Sequence, residues 1–208
     1  MPKILLINGS PKPQGCIYTA LNEMINIFHQ EGIETELIHI GSKDIRGCIA
    51  CNKCREIGKC VFNDEVNEIA EKFKYADGIV IGSPVYYASP NGTLISFLDR
   101  LFYSTPYSKH MKVGASIVNC RRGGNTSSFD VLNKYFSISG MPIATSTYWN
   151  MTHGFTPDDV KKDKEGLRTM RNLAYNMSFM IKIISEGKAK YGLPKVEDGE
   201  YTSFPDGK

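Results

Sequence analysis

The sequence predicts an α/β fold in which a doubly wound, five-stranded parallel sheet lies between helices in three layers. Short, nearly continuous apolar runs alternate with amphipathic segments of helical period. Each run opens into a loop rich in Gly, Ser, Pro or Asn. The chain has 208 residues with 41% apolar content, enough for one domain with a sizeable core.

"KILLIN", Lys3 to Asn8, reads as a buried parallel strand because it is apolar on both faces and stops at Gly-Ser-Pro. A helix follows over Tyr18 to Gln30, where Leu21, Met24, Ile25 and Phe28 recur at helical spacing and Gly32 marks the stop. "TELIHI" is the second strand. Asp64 is placed to cap a helix carrying Val66, Ile69, Ala70 and Phe73 on one face. "GIVIGSPVYY", from Gly78, is the third strand, and "LISFLDRLF" is helical in period. "KVGASIVN" is the fourth strand, Phe129 to Ile138 a helix, and "PIATSTYW" the fifth strand. A last long helix aligns Leu167, Met170, Ala174, Met177, Ile181 and Ile184 and closes near Gly187.

This organisation gives one domain over 1–187, with a cysteine-rich loop at 47–63, and a tail over 188–208 that reads as an arm or a disordered segment. The 25 basic and 22 acidic residues are well mixed, with no basic run of the kind that tracks a phosphate backbone, which argues against nucleic acid as a partner. No apolar segment approaches the length of a membrane span, and "MPKILLINGS" lacks the regions of a signal peptide. The expectation is a cytoplasmic protein without a membrane partner. In a reducing compartment, clustered cysteines read as metal or redox groups before disulfides.

Sheets of this kind bind ligands at the carboxyl ends of their strands, and the unusual loops all follow strands. In the first, "NGSPKPQGCIYTA", Ser10, Lys12, Gly15, Cys16, Tyr18 and Thr19 lie between a strand and a helix N-terminus. Free N–H groups and the helix dipole suit a phosphate there. Neither GxxxxGK[ST] nor GxGxxG occurs, which points to a mononucleotide phosphate; an ordinary polar turn is the plain alternative. The third strand ends in "GSPVYYASPNG", whose aromatic and proline residues form an apolar wall, and the fourth in "NCRRGGN", whose glycines let backbone approach a planar ligand. Core aromatics and a simple turn are the corresponding bland readings.

The segments "GSPKPQGCIYTAL", "GCIACNKC" with Cys60, "ADGIVIGSPVYYASPNGTLISFLDR", "NCRRGGN" and "YWNMTHG" resemble the flavodoxin-like NAD(P)H-dependent FMN reductases, and among them the iron–sulfur flavoprotein type. The resemblance runs from Met1 to about Gly187. It implies FMN held at its phosphate by Ser10, Lys12, Cys16, Tyr18 and Thr19 and along its ring by Pro84, Val85, Tyr86, Tyr87 and Asn91. Asn119, Cys120, Arg121, Gly123 and Gly124 would meet the ring's polar edge. Cys16 departs from the Asn or Ser more usual in such loops. A helix N-terminus lowers a thiol pKa, so a reactive thiol and a structural one are both open at Cys16.

Cys48, Cys51, Cys54 and Cys60 lie within thirteen residues. Three thiolates at CxxCxxC spacing can converge on one cubane cluster, and Cys60 completes a compact set like that of the iron–sulfur flavoproteins. Structural zinc more often takes separated pairs. A [4Fe–4S] cluster and a loop of cluster-free thiols remain as alternatives.

The resemblance implies an oxidoreductase in which NAD(P)H delivers hydride to FMN; Arg121 and Arg122 suit the extra phosphate of NADPH, with solvated surface charges as the equal alternative. Electrons would then reach a small-molecule or protein acceptor, directly or through the cluster. The chemistry would be flavin-centred, with no catalytic side chain demanded. The alternative is a flavodoxin-type electron carrier without a substrate of its own, although such carriers are usually acidic. An open flavin face implies a homodimer or homotetramer.

Overall fold

The computed structural model describes residues 1–199 and Thr202. Five parallel strands form the main sheet: β1 (Lys3–Asn8), β2 (Glu34–His39), β3 (Gly78–Tyr86), β5 (Val113–Cys120) and β6 (Met151–His153), in the order β2-β1-β3-β5-β6. A two-residue strand, β4 (Ser89–Pro90), turns back antiparallel on the end of β3. The chain crosses from β1 to β2 on one side and from β2 to β3 on the other, so the sheet reverses direction beside β1. Crevices open at such switch points.

Both faces of the sheet are buried, as its apolar runs require. Ile4 and Leu6 of β1 point to one side, where they join the buried residues of α1 (Cys16–Gln30) and α7 (Lys164–Tyr191). Leu5 and Ile7 point to the other, against α3 (Glu65–Tyr75), α4 (Gly92–Ser104) and α5 (Asn125–Ile138). The period of two along one strand thus supplies two separate cores. The Asp64 side chain caps α3 by accepting from the Val66 N–H, as its sequence position predicts.

Three details differ from the sequence reading. The fifth strand does not run over "PIATSTYW"; Ile143 makes only an isolated bridge to Gly114, and the pairing with β5 resumes at Met151. The Ser146 hydroxyl donates to the Tyr148 carbonyl and the Asn150 side chain, closing a local turn that lifts the exposed Tyr148 and Trp149 off the sheet. Helix α7 passes through Gly187 and ends at Tyr191, with Gly192 in the left-handed region at its cap. A glycine inside a helix costs only about 0.5–1 kcal/mol, which a long packed helix absorbs. Two short helices escaped the sequence reading: α2 (Cys54–Ile57) and α6 (Pro157–Lys162), the latter opened by a Thr156/Asp159 capping box. The last part of the expected tail, at 200–201 and 203–208, lies outside the described residues.

No helix among the described residues is long and apolar enough to cross a membrane.

Two stability measurements test this packing. Phe136 is fully buried against Gly114, so Phe136→Ala is expected to cost about 3–5 kcal/mol, read as a lowered urea midpoint; a loss under about 1 kcal/mol would show that this core closes over the gap. Lys109, in the loop leading into β5, is buried against the rings of Phe102 and Tyr107. Burial first, and the charge of Lys112 second, pull its pKa from 10.5 down to about 8. Between those values the unfolded chain binds the proton and the folded one has released it. Stability therefore rises with pH across that window, and the penalty is fully present below it. Lys109→Met should flatten that part of the stability curve and raise the midpoint at pH 7. An unchanged curve would refute the assignment.

Candidate functional site

The strand ends meet at one rim because the registers align them. Asn8 pairs with both His39 and Gly82, Pro84 with Asn119, and Cys120 with His153. A cleft of about 250 Å³ opens there, lined by Ser10, Lys12, Cys16, Ile17, Pro84, Val85, Tyr86, Asn119, Cys120, Arg121, Gly154 and Phe155.

The first loop is shaped by a side chain that sequence reasoning passed over. The Asn8 carboxamide accepts from the Ser10 N–H (3.0 Å) and donates to the Pro13 carbonyl (3.1 Å), an Asx-type turn that curls the loop over the strand end. Ser10 in turn accepts from the Lys12 N–H through its hydroxyl, and its carbonyl meets His39 Nε2 at 2.7 Å. The loop delivers the chain to Gly15, the N-cap of α1. No side chain caps this helix among the described residues, and its first turn holds no acidic residue. Its leading N–H groups and dipole are therefore available to an anion, with Ser10 and Lys12 beside them.

The opposite wall is the Pro84-Val85-Tyr86 stretch at the end of β3. Tyr87 and Ala88 follow with φ of +49° and +59°, a left-handed pair held by β4 and by the Ser127 hydroxyl donating to the Ala88 carbonyl. Tyr86 is about half exposed and Tyr87 wholly so. They are not core aromatics.

Of the residues expected around the ring and phosphate, Ser10, Lys12, Cys16, Pro84, Val85, Tyr86, Asn119, Cys120 and Arg121 line the cleft together. Others stand behind it or beside it. Thr19 donates its hydroxyl back to the Gly15 carbonyl within α1, and Tyr18 is half-buried one residue earlier on the same helix. The Asn91 side chain accepts from the Thr93 N–H and caps α4. Gly124 caps α5 at φ +82°, a conformation glycine adopts without strain, and Gly123 precedes it on the surface. The Asn119 carboxamide donates to the Gly154 carbonyl and accepts from Thr152, so it secures the loop after β6.

That loop supplies Gly154 and Phe155, which the sequence reading missed. The signal that points to them is the rule that ligands sit after strands, once the fifth strand is taken to end at His153 rather than within "PIATSTYW". His153 donates its backbone N–H to Asp163 and brings its ring to 3.2 Å from Asn125. Burial pushes the thiols of both Cys16 and Cys120 up from their ordinary value, with the charge of Lys12 opposing the rise at Cys16. The Cys16 thiol also donates to the Gly154 carbonyl at 3.8 Å, a contact that ties α1 to the loop after β6.

The four clustered cysteines lie away from this cleft. Cys48, Cys51, Cys54 and Cys60 line one small cavity with Ile49, Val61, Phe62, Arg100, Tyr103 and Ser104. Ala50 and Asn52 take positive φ between them, which wraps the segment around the cavity, and the Cys48 sulfur accepts from the Ala50 N–H. Among the described residues no three His, Cys, Asp or Glu side chains are drawn together closely enough to hold a metal ion. All six cysteines are free. Four thiols around one apolar pocket are nonetheless the donor set that an iron–sulfur cluster takes.

Comparison with known proteins agrees with this geometry. Residues 2–156 match the family model described as NADPH-dependent FMN reductase. An iron–sulfur flavoprotein of Methanocaldococcus jannaschii is 36% identical over 195 residues, spanning 88% of this chain and 100% of the relative. Among solved structures, RosB with a bound riboflavin-phosphate intermediate superposes with a TM-score of 0.73 at 15% identity, over 99% of this chain and 93% of RosB. A flavodoxin from the domain Archaea gives 0.59 at 14% identity, over 88% and 99%. The fold is flavodoxin-like, and the chain belongs to the NADPH-dependent FMN reductase family of flavin-dependent oxidoreductases.

Proposed function

We propose that the chain takes reducing equivalents from NAD(P)H at an FMN seated in the rim cleft and passes electrons to a small-molecule or protein acceptor through a [4Fe–4S] cluster held by Cys48, Cys51, Cys54 and Cys60. The observation that carries this reading is the pairing of an anion-ready helix terminus with an apolar wall across one cleft. It matches a cofactor that is singly phosphorylated at one end and flat at the other.

Each part of the cleft has a task in this reading. The N–H groups opening α1, the Ser10 hydroxyl and the Lys12 ammonium hold the phosphate. Pro84, Val85 and Tyr86 exclude water from one side of the ring, and the loop amides from Asn119 to Arg121 meet its polar edge. Thr19, Asn91 and Gly124 act behind them, holding the helix ends from which the binding groups project, with Tyr18 and Gly123 beside them in sequence. The flavin, when bound, supplies the hydride and electron chemistry, so the chain needs to orient and shield rather than to ionise. Arg121 on the cleft and the exposed Arg122 beside it are cations at its mouth, suited to the additional phosphate of NADPH. Exposed Tyr86 and Phe155 line the opening and the exposed Tyr87 follows Tyr86, an apolar rim that fits a homodimer or homotetramer covering the ring. A cytoplasmic location accords with the reduced cysteines this scheme needs.

Ser10→Ala is expected to weaken FMN binding about tenfold, the loss of one phosphate hydrogen bond worth roughly 1–1.5 kcal/mol, in a titration that follows quenching of flavin fluorescence. Riboflavin, which lacks the phosphate, should bind both proteins alike; equal losses for the two ligands would remove the phosphate from this loop.

Anaerobic stopped-flow mixing of the flavin-loaded protein with NADPH should bleach the flavin absorbance in a single rapid phase, whereas absence of bleaching would favour a carrier reduced by another protein. Iron and sulfide analysis of the same anaerobic preparation should give about four irons per chain. Flavin absorbance with no iron would leave the reductase standing and remove the cluster.

A further inference from the structure

Arg100, on α4, is the largest fully buried side chain of the core, at 1% exposure. An interior guanidinium is costly unless every donor is met. Here Nη1 and Nη2 bond the two carboxylate oxygens of Asp64 at 2.6 and 2.8 Å, Nη1 also reaches the Arg46 carbonyl at 3.3 Å, and Nε donates to the Cys60 sulfur at 3.2 Å. Its cationic plane lies over the Phe62 ring at 4.9 Å. One side chain therefore grips the chain just before Gly47, at Cys60 and just after Asn63. The two ends of the cysteine loop meet at one buried cation.

Ser104 stands one helical turn beyond Arg100, lines the same cysteine cavity and is 4% exposed. Its hydroxyl has no hydrogen-bond partner among the described residues. A buried hydroxyl left unpaired is costly, and Ser104 is one of the residues that line the cavity shared by the four cysteines.

We propose that Arg100, assisted by Ser104, is a positioning residue for the iron–sulfur cluster, holding Cys60 in ligating orientation and raising the cluster's reduction potential. This rests on the cluster reading above. Reduction adds one electron to the cluster and makes its sulfurs more negative, so a donor fixed on one of them stabilises the reduced state over the oxidised. Asp64 neutralises much of the guanidinium charge at long range, which leaves the directed Nε–H bond as the main local influence. The low dielectric around a buried arginine strengthens that bond. The Ser104 hydroxyl supplies a second donor once sulfur occupies the cavity.

The test compares wild type, Arg100→Lys and Ser104→Ala, each reconstituted with iron and sulfide. Iron per chain is measured first, and the cluster couple is then titrated with dithionite while its paramagnetic signal is followed. Arg100→Lys, which keeps the charge but loses the Nε–H, should retain iron while its couple moves to lower potential. At the wild-type midpoint its reduced-to-oxidised ratio should fall about tenfold, equivalent to about 59 mV for one electron. Ser104→Ala should shift the same way by a smaller factor. Variants that hold wild-type iron at the wild-type potential would overturn the proposal and leave Arg100 as a purely structural staple. If Arg100→Lys fails to fold, the Ser104→Ala titration decides by the same two outcomes. A wild-type protein that takes up no iron overturns the cluster reading itself, a result distinguishable because it appears before any variant is compared.

Discussion

A parallel sheet covered on both faces leaves a ligand only its ends, and in this chain the carboxyl end is where backbone segments come together most closely. The Gly9 N–H donates to the Gly82 carbonyl at 2.9 Å, drawing the exit of β1 onto β3. On the other flank, a Cβ at Gly41 would lie 2.2 Å from the carbonyl of Ser10, so the turn after β2 presses directly on the first loop. The loop has little freedom left. Asn8 and His39 hold the Ser10 backbone and the Pro13 carbonyl, and the loop leads into α1, whose first residues Cys16 and Ile17 line the cleft. In the proposed reading, an anion site here depends on this crowding as much as on Ser10 and Lys12 themselves.

The same economy is visible in the supports around the cleft. Asn91 and Gly124 act as caps beside the cleft, and Asn119, which lines it, also ties down the loop after β6. Cap residues satisfy the orphan groups at helix ends, and here three helices begin next to the strand ends that carry the site. A substitution at such a position would act on ligand geometry through the backbone.

The cysteine segment is organised differently. It has four residues of helix and no strand, so no ladder of backbone bonds holds it. Its anchorage comes from Arg100 and Asp64, together with Asn67, whose side chain bonds the backbone of Cys60 on both N–H and carbonyl and reaches Phe62. Removing one partner of a buried ion pair leaves an uncompensated charge, which is why this joint is a strong constraint even though forming it is costly. The cysteine cavity and the rim cleft thus rest on separate supports, one polar and interior, the other built from strand ends.

Much of this was written in local pattern. Apolar runs at Lys3 to Asn8 and from Gly78 specify buried parallel strands, helical period specifies α1, α3, α4 and α7, and Gly-Ser-Pro after a strand marks a rim loop. Cysteine spacing alone grouped the four thiols that share a cavity. Other features depend on groups distant in sequence and could not be read locally. β-branched residues after Pro142 satisfy strand propensity, yet pairing with β5 goes to Met151–His153 because Ser146 closes a turn between them, and Gly154 and Phe155 reach the cleft only as a result. Arg100 falls three residues after Phe97 on the buried face of α4, where its charge alone argues for solvent; it is interior because Asp64, thirty-six residues earlier, arrives as its partner. Sequence by itself determined the first four parallel strands, the longer helices and the rim loops after β1, β3 and β5, since period and turn chemistry act over a few residues. Tertiary structure alone decided which side chains line the cleft, which serve as caps and which charge is buried, because burial and pairing are properties of neighbours that folding brings together.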